Sequence, residues 1–194
     1  MQVSPAGRVS EYLALLTKRL PEETVRHSIS VAHMLEDMAR LVGLEPGKAA
    51  TAGLLHDVYK DAPAPELLEL ARRYGLTVSE AARARPGLLH GPVGAEECRR
   101  NLGLADPDLY EAIYWHTTGH PGIGPLALAL IVADFSEPLR EYPEAKQARA
   151  LFLEQGLRAA ARYVAEQKLR HARMKHPVDP ATEAFCGWLA GDAN

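Results

Sequence analysis

The chain has 194 residues, a hydrophobic fraction of 47% and a charged fraction of 24%, ordinary values for one soluble globular domain that needs neither disulfides nor a structural metal to fold. Its formal net charge of -3 carries no basic footprint of a nucleic-acid binder. The longest apolar run, Leu126 to Ala133, is far too short to span a bilayer. Proline and glycine then divide the chain into periodic segments that read as helices. Glu11 to Leu20 forms a first, short helix. Glu22 to Val42 follows, with Pro21 at its entry and Gly43 past its end. Two apolar stripes, one through Val25, Ile29, Ala32, Ala39 and Val42 and one through Val31, Met34, Met38 and Leu41, give it a broad face suited to a central position. Pro46 opens a small-residue helix reaching Tyr59, and Glu66 to Tyr74 forms the next. Ser79 to Pro86 is ambiguous. Gly91 to Asn101 and Pro107 to Trp115 read as helices, and Thr117 to Gly124 as a loop. Leu126 to Phe135 reads as a buried helix because no other segment offers a partner strand. Tyr142 to Arg173 reads as one long amphipathic helix, and Pro180 begins a last one. No stretch alternates apolar and polar residues long enough for a sheet, so the expected fold class is all-α.

Cys98 and Cys186 form no CxxC pair, and Cys98 reads as a buried, inert thiol. Met1 to Leu20 lacks the basic start and apolar run of a signal peptide. Both features point to the cytoplasm, and the sequence leaves a homodimer open.

The chemistry is carried by histidines and carboxylates. His27 lies in the first turns of its helix, His56 and Asp57 adjoin at the end of the small-residue helix, and Asp134 closes an apolar segment with no obvious partner. A buried carboxylate requires a charge partner or a metal. Neighbouring helical residues diverge by about 100°, so a His-Asp pair converges on one point more readily at a helix end. Each feature alone is commonplace: a His-Asp pair arises by chance, His27 suits a core histidine, and Asp134 suits an N-cap. All four together point to a divalent transition metal held by nitrogen and oxygen: Fe, Mn, Co, Ni or Zn. Lys60, three residues after Asp57, shares its helical side and reads as a phosphate clamp rather than a solvated C-terminal lysine. The run Lys168, Arg170, His171, Arg173, Lys175 and His176 reads as a solvated face, with a lining for a polyanion as the weaker alternative. His33 reads as structural, and Tyr114 and Trp115 as core.

The order His27, Leu55-His56-Asp57, Asp134 resembles the H…HD…D signature of the HD phosphohydrolases. The wider set RHSISVA at 26–32, KAATAGLLHDVYK at 48–60, LLHGPVG at 88–94, HTTG at 116–119 and VADFSEPLR at 132–140 resembles the YqeK family, the HD-type symmetrical bis(5'-nucleosyl)-tetraphosphatases. The resemblance covers about residues 22 to 190. It implies a single HD-type helical domain, with a metal-site core over about 22–140 and C-terminal helices over about 142–190. It implies iron, as one or two ions, with His27, His56, Asp57 and Asp134 as ligands and His90 and His116 beside the phosphates or on a second ion. Thr117 and Arg140 fall where nucleotide approaches. The expected reaction is metal-dependent cleavage of diadenosine tetraphosphate or a close dinucleoside polyphosphate to two nucleoside diphosphates, with Asp57, Lys60, His90 and His116 catalytic. The rival readings are a broader nucleotidase or alarmone hydrolase on the same metal site, and a nucleotide sensor without turnover. The loop after HTTG departs from the family pattern by carrying His120.

Overall fold

The computed structural model describes residues 8–175 and 177–191. Its helices are α1 (Val9–Arg19), α2 (Glu22–Val42), α3 (Pro46–Leu55), α4 (Ala64–Tyr74), α5 (Glu80–Ala84), α6 (His90–Asn101), α7 (Pro107–Trp115), α8 (Pro125–Ser136), α9 (Pro143–Gln155), α10 (Leu157–Lys175) and α11 (Pro180–Gly191), with a 3-10 turn at Pro86–Leu89. Among the described residues there is no β-strand, so the fold is all-α, as expected. No described helix is long and apolar enough to cross a membrane.

The apolar run that was ambiguous by pattern is the hub. Leu126 through Ala133 are all buried, because α8 packs against α2, α3, α7, α9 and α10 at once. A helix surrounded in this way must be apolar on every side, and its one ionisable residue, Asp134, lies in its last turn. The tightest neighbours are α2 and α3. A Cβ added to Gly53 would lie 2.6 Å from the Cα and 2.8 Å from the N of Ala32, so only glycine lets these two backbones approach so closely. The start of α3 is capped by Glu45, whose carboxylate accepts the backbone N–H of Gly47 at 2.8 Å and that of Lys48, with Pro46 at the first position, where no N–H is needed.

Four expectations change. The small-residue helix stops at Leu55, and 56–61 are turns. The ambiguous stretch becomes α5, whose Ser79 cap accepts the N–H of Ala82 at 3.0 Å, followed by the 3-10 turn. The broad apolar face of α2 buries Val31, Ala32, Leu35, Met38 and Ala39, but its C-terminal end is bare, with Leu41 68% exposed. Residues 142–173 are two helices rather than one. Gly156 adopts φ +87, a conformation that L side chains rarely adopt, and the chain folds back so that α10 packs on α9, α8 and α11.

Candidate metal and phosphate site

Every candidate ligand sits at or near a helix end, and the fold brings them all together. His27 is in the second turn of α2, His56 is the C-cap of α3 with Asp57 beyond it, and His90 is the first residue of α6. His116 is the C-cap of α7, and Asp134 is in the last turn of α8. His56, Asp57, His90 and His116 are buried, and His27 and Asp134 nearly so.

The histidines share one orientation. The Nδ1 of His56 meets the carbonyl of Gly53 at 2.7 Å, that of His90 the carbonyl of Gly87 at 2.5 Å, and that of His116 the carbonyl of Ile113 at 2.8 Å. A carbonyl only accepts, so each Nδ1 carries the proton and each Nε2 presents a lone pair inward. The Nδ1 of His27 faces the carboxylate of Glu137 at 3.2 Å, with the same result.

Asp57 divides these lone pairs into two groups. Its Oδ2 lies 3.4 Å from Nε2 of His56 and 3.8 Å from Nε2 of His27. Its Oδ1 lies 3.0 Å from Nε2 of His90 and 3.4 Å from Nε2 of His116. Asp134 completes the first group, with Oδ1 3.2 Å from His27 and 3.7 Å from His56. His27, His56 and Asp57 form one set of atoms close enough to ligate a single ion, and Asp57, His90 and His116 form another.

The donor chemistry fits divalent metal. The Nε2 of His56 is buried without a hydrogen-bond partner, a costly state for a polar atom unless a cation meets it. In the second group, Nε2 of His90 and of His116 stand 2.8 Å apart. Two lone pairs facing at that distance repel unless a proton or a cation lies among them. Electrostatics point the same way. Burial works against charge on the His56 ring, yet Asp57 and Asp134 outweigh it and raise its pKa to about 10. Burial likewise opposes ionisation of Asp57 and Asp134, but the surrounding histidines, with Lys168 also acting on Asp134, hold both well below the usual carboxylate range. His116 goes the other way, lowered to about 4 by burial and by the neighbouring His90 and His56. His116 is therefore neutral and both carboxylates ionised, the forms that bind metal, while the raised pKa of His56 marks a place where positive charge, a proton or a cation, is favoured.

Above these atoms opens a cavity of about 630 Å³, lined in part by Lys60, His90, His116, Thr117, Asp134 and Arg140, a size ordinary for small-molecule sites. Lys60 Nζ lies 3.3 Å from Asp57 Oδ2. Burial opposes its charge, but Asp57 and Asp134 outweigh that and raise its pKa. Thr117 Oγ1 is 3.2 Å from Nε2 of His90 and 3.1 Å from Nε2 of His116. Arg140 approaches Asp134 and Glu137, each at 3.8 Å. His120 is exposed, and its ring lies against Trp115 with centroids 4.5 Å apart. His33 is also exposed, whereas Tyr114 and Trp115 pack against the core.

Sequence reasoning missed two residues. Glu137 is buried behind His27, where it also accepts Ser30 Oγ at 2.5 Å and the N–H of Leu139 at 2.8 Å. Lys168 was read as solvated but turns inward. Its Nζ donates to the carbonyl of His116 at 2.9 Å and lies 3.6 Å from Asp134 Oδ2, and burial lowers its pKa. Arg170 and His171 of the same run line the outer cavity; the side chain of Lys175 and all of His176 lie outside the described residues. A clue to Glu137 was its place three residues beyond Asp134. No local signal marked Lys168 among so many basic residues.

The HD domain model matches residues 24–176. Symmetrical bis(5'-nucleosyl)-tetraphosphatase of Bacillus subtilis is 30% identical over 92% of this chain and 96% of its own length. The enzyme of that name from Halalkalibacterium halodurans is 34% identical over 71% of this chain and 73% of its own. A crystal structure of an HD superfamily hydrolase from Clostridium acetobutylicum superposes with a TM-score of 0.89 at 26% identity, over 93% of this chain and 96% of that one. With a shared helical fold, a clustered His-Asp donor set and relatives of 30% and 34% identity aligned over 96% and 73% of their own lengths, this chain belongs to the HD domain family and, within it, to the symmetrical bis(5'-nucleosyl)-tetraphosphatases.

Proposed function

We propose that the protein hydrolyses diadenosine tetraphosphate and related dinucleoside polyphosphates symmetrically, giving two nucleoside diphosphates. The observation that carries this reading is the pairing of two His-Asp donor groups, joined by Asp57, with Lys60 and Arg140 lining the cavity beside them. The relatives' activity supports the substrate class.

His27, His56, Asp57 and Asp134 would hold one ion, for which iron is the proposal. Oδ1 of Asp57 with His90 and His116 would hold a second. Bound metal supplies Lewis acidity and activates water for attack on phosphorus. The chain's own groups do the rest. Asp57 accepts a hydrogen bond from the attacking water and orients it toward phosphorus, in line with the leaving oxygen. Lys60 and Arg140 offset charge on the equatorial oxygens as it develops. Thr117 stands beside both second-group histidines and donates its hydroxyl to a phosphate oxygen. The bond from water oxygen to phosphorus forms as the bridging P–O bond breaks, the electron pair leaves with a nucleoside diphosphate, and the water's protons are released to solvent. That diphosphate is a stable anion, so no strong general acid is required.

The test is product chromatography on diadenosine tetraphosphate with the metal-loaded protein. ADP alone is expected, and in oxygen-18 water the label enters one of the two ADP molecules formed per turnover. A mixture of ATP and AMP, or faster cleavage of mononucleotides than of the tetraphosphate, would move the protein to the broader nucleotidase reading.

A further inference from the structure

We infer that Lys168 is a third phosphate-binding cation of this site, preset in place by its bond to the backbone of His116 rather than recruited from solvent. The inference rests on the phosphohydrolase reading above and adds a residue to it.

Three observations support it. First, Lys168 lines the same cavity as Lys60 and Arg140, reaching it from α10, on a different wall. The three cations thus approach from the turn after α3, the segment after α8, and α10. Second, its ammonium is anchored. Nζ donates to the His116 carbonyl at 2.9 Å, an orphan acceptor at the end of α7, and stands 3.6 Å from Asp134 Oδ2. A lysine has three N–H donors, and these two acceptors leave one for a ligand in the cavity. Anchoring also removes most of the rotamer entropy that a free lysine would lose on binding phosphate. Third, the charge balance asks for an anion. Asp57, Asp134 and Glu137 are offset one for one by Lys60, Arg140 and Lys168. Each divalent cation held by the two donor groups then adds two positive charges, which a phosphate chain would neutralise. A lysine needed only to cap α7 would have no reason to stand within reach of Asp134.

The test is pyrophosphate binding to the full chain loaded with Mn(II), followed by calorimetry, which needs no turnover. Lys168→Met should weaken binding about tenfold and lower kcat/KM on diadenosine tetraphosphate by more than that, because the charge also meets the transition state. Lys168→Arg should recover part of the affinity, since it restores the charge at a different reach. Lys168→Gln retains a donor for the His116 carbonyl; should the Met variant fail to fold, as read by helicity, the Gln variant replaces it and is expected to weaken binding to a similar degree. Arg162→Met, on the exposed face of α10 where Arg162 pairs with Glu166 at 3.1 Å, should change nothing. Pyrophosphate affinity within about threefold of wild type in a folded Lys168→Met or Lys168→Gln protein overturns the inference. A wild-type protein that binds pyrophosphate through Lys168 yet leaves the tetraphosphate uncut overturns the proposed function and leaves the role of Lys168 standing.

Discussion

The carboxylate of Glu137 stands 3.2 Å from the Nδ1 of His27, so the ring is held in the tautomer that leaves Nε2 facing Asp134 and Asp57. Glu137 is in turn fixed by Ser30 and by the N–H of Leu139. Partners of this kind commonly tune metal affinity or activity about 10–100-fold. Glu137→Gln should therefore weaken metal retention by roughly that factor, measured by dialysis against graded chelator. The helical circular dichroism should remain. Unchanged retention would show that His27 needs no support.

Asp57 is the shared member of both donor groups. Asp57→Ala should remove bound metal and turnover together while leaving helicity nearly intact, because the apolar core around α8 does not depend on the ion. Metal analysis beside a thermal melt checks both halves. Full metal content in this variant would refute the ligand assignment.

His90 and His116 decide the number of ions. With a second ion at Asp57 Oδ1, metal-replete protein should contain close to two per chain, and His90→Ala or His116→Ala should bring that toward one. If they contact only phosphate, stoichiometry stays at one and the kinetic constants alone worsen.

How far the sequence foretold this site depends on how local each signal is. Helix ends marked by proline and glycine were legible, so α2 and α7 fall where the punctuation put them. His56-Asp57 was legible because adjacency at a helix end is a local property, and the structure brings both residues to His27 and Asp134. The break at Gly156 was not: a glycine inside a helix costs only about 1 kcal/mol relative to alanine, so a periodic pattern reads straight through it. Lys168 was hidden for the same reason, since its inward direction follows from the fold-back of α10 and not from its neighbours. The broad stripe on α2 overestimated burial, because apolar residues at a helix end need not meet a partner.

Close approach of α2 and α3 links stability to the site. In Gly53→Ala the new methyl would meet backbone atoms of Ala32 at 2.6 and 2.8 Å, and backbone cannot swing aside as a side chain can. A loss of about 1–3 kcal/mol is expected, seen as a drop of about 2–4 °C in Tm per kcal/mol. Since α2 carries His27 and α3 leads into His56, metal retention should fall as well. A variant as stable as wild type would mean that the two helices slide apart freely.

The two thiols should behave differently. Burial pushes Cys98 up to about 12, whereas Cys186 is only partly buried. At pH 8 one thiol per native chain should react with a disulfide reagent, and the second only on unfolding. For the folded state the sign is definite: Cys98 keeps its proton above its ordinary value of 9.0, so it favours unfolding only as pH rises beyond that point. Two fast native thiols would contradict the buried position of Cys98.

The fold-back at Gly156 also sets an order in time. Every proposed metal donor, from His27 to Asp134, and the supporting Glu137 are translated before the chain turns at residue 156, while Lys168 and the outer wall of the cavity come after it. The donors therefore precede in the chain the wall that α10 lays over Asp134, and the cavity takes its final form only once the turn at Gly156 brings that wall home.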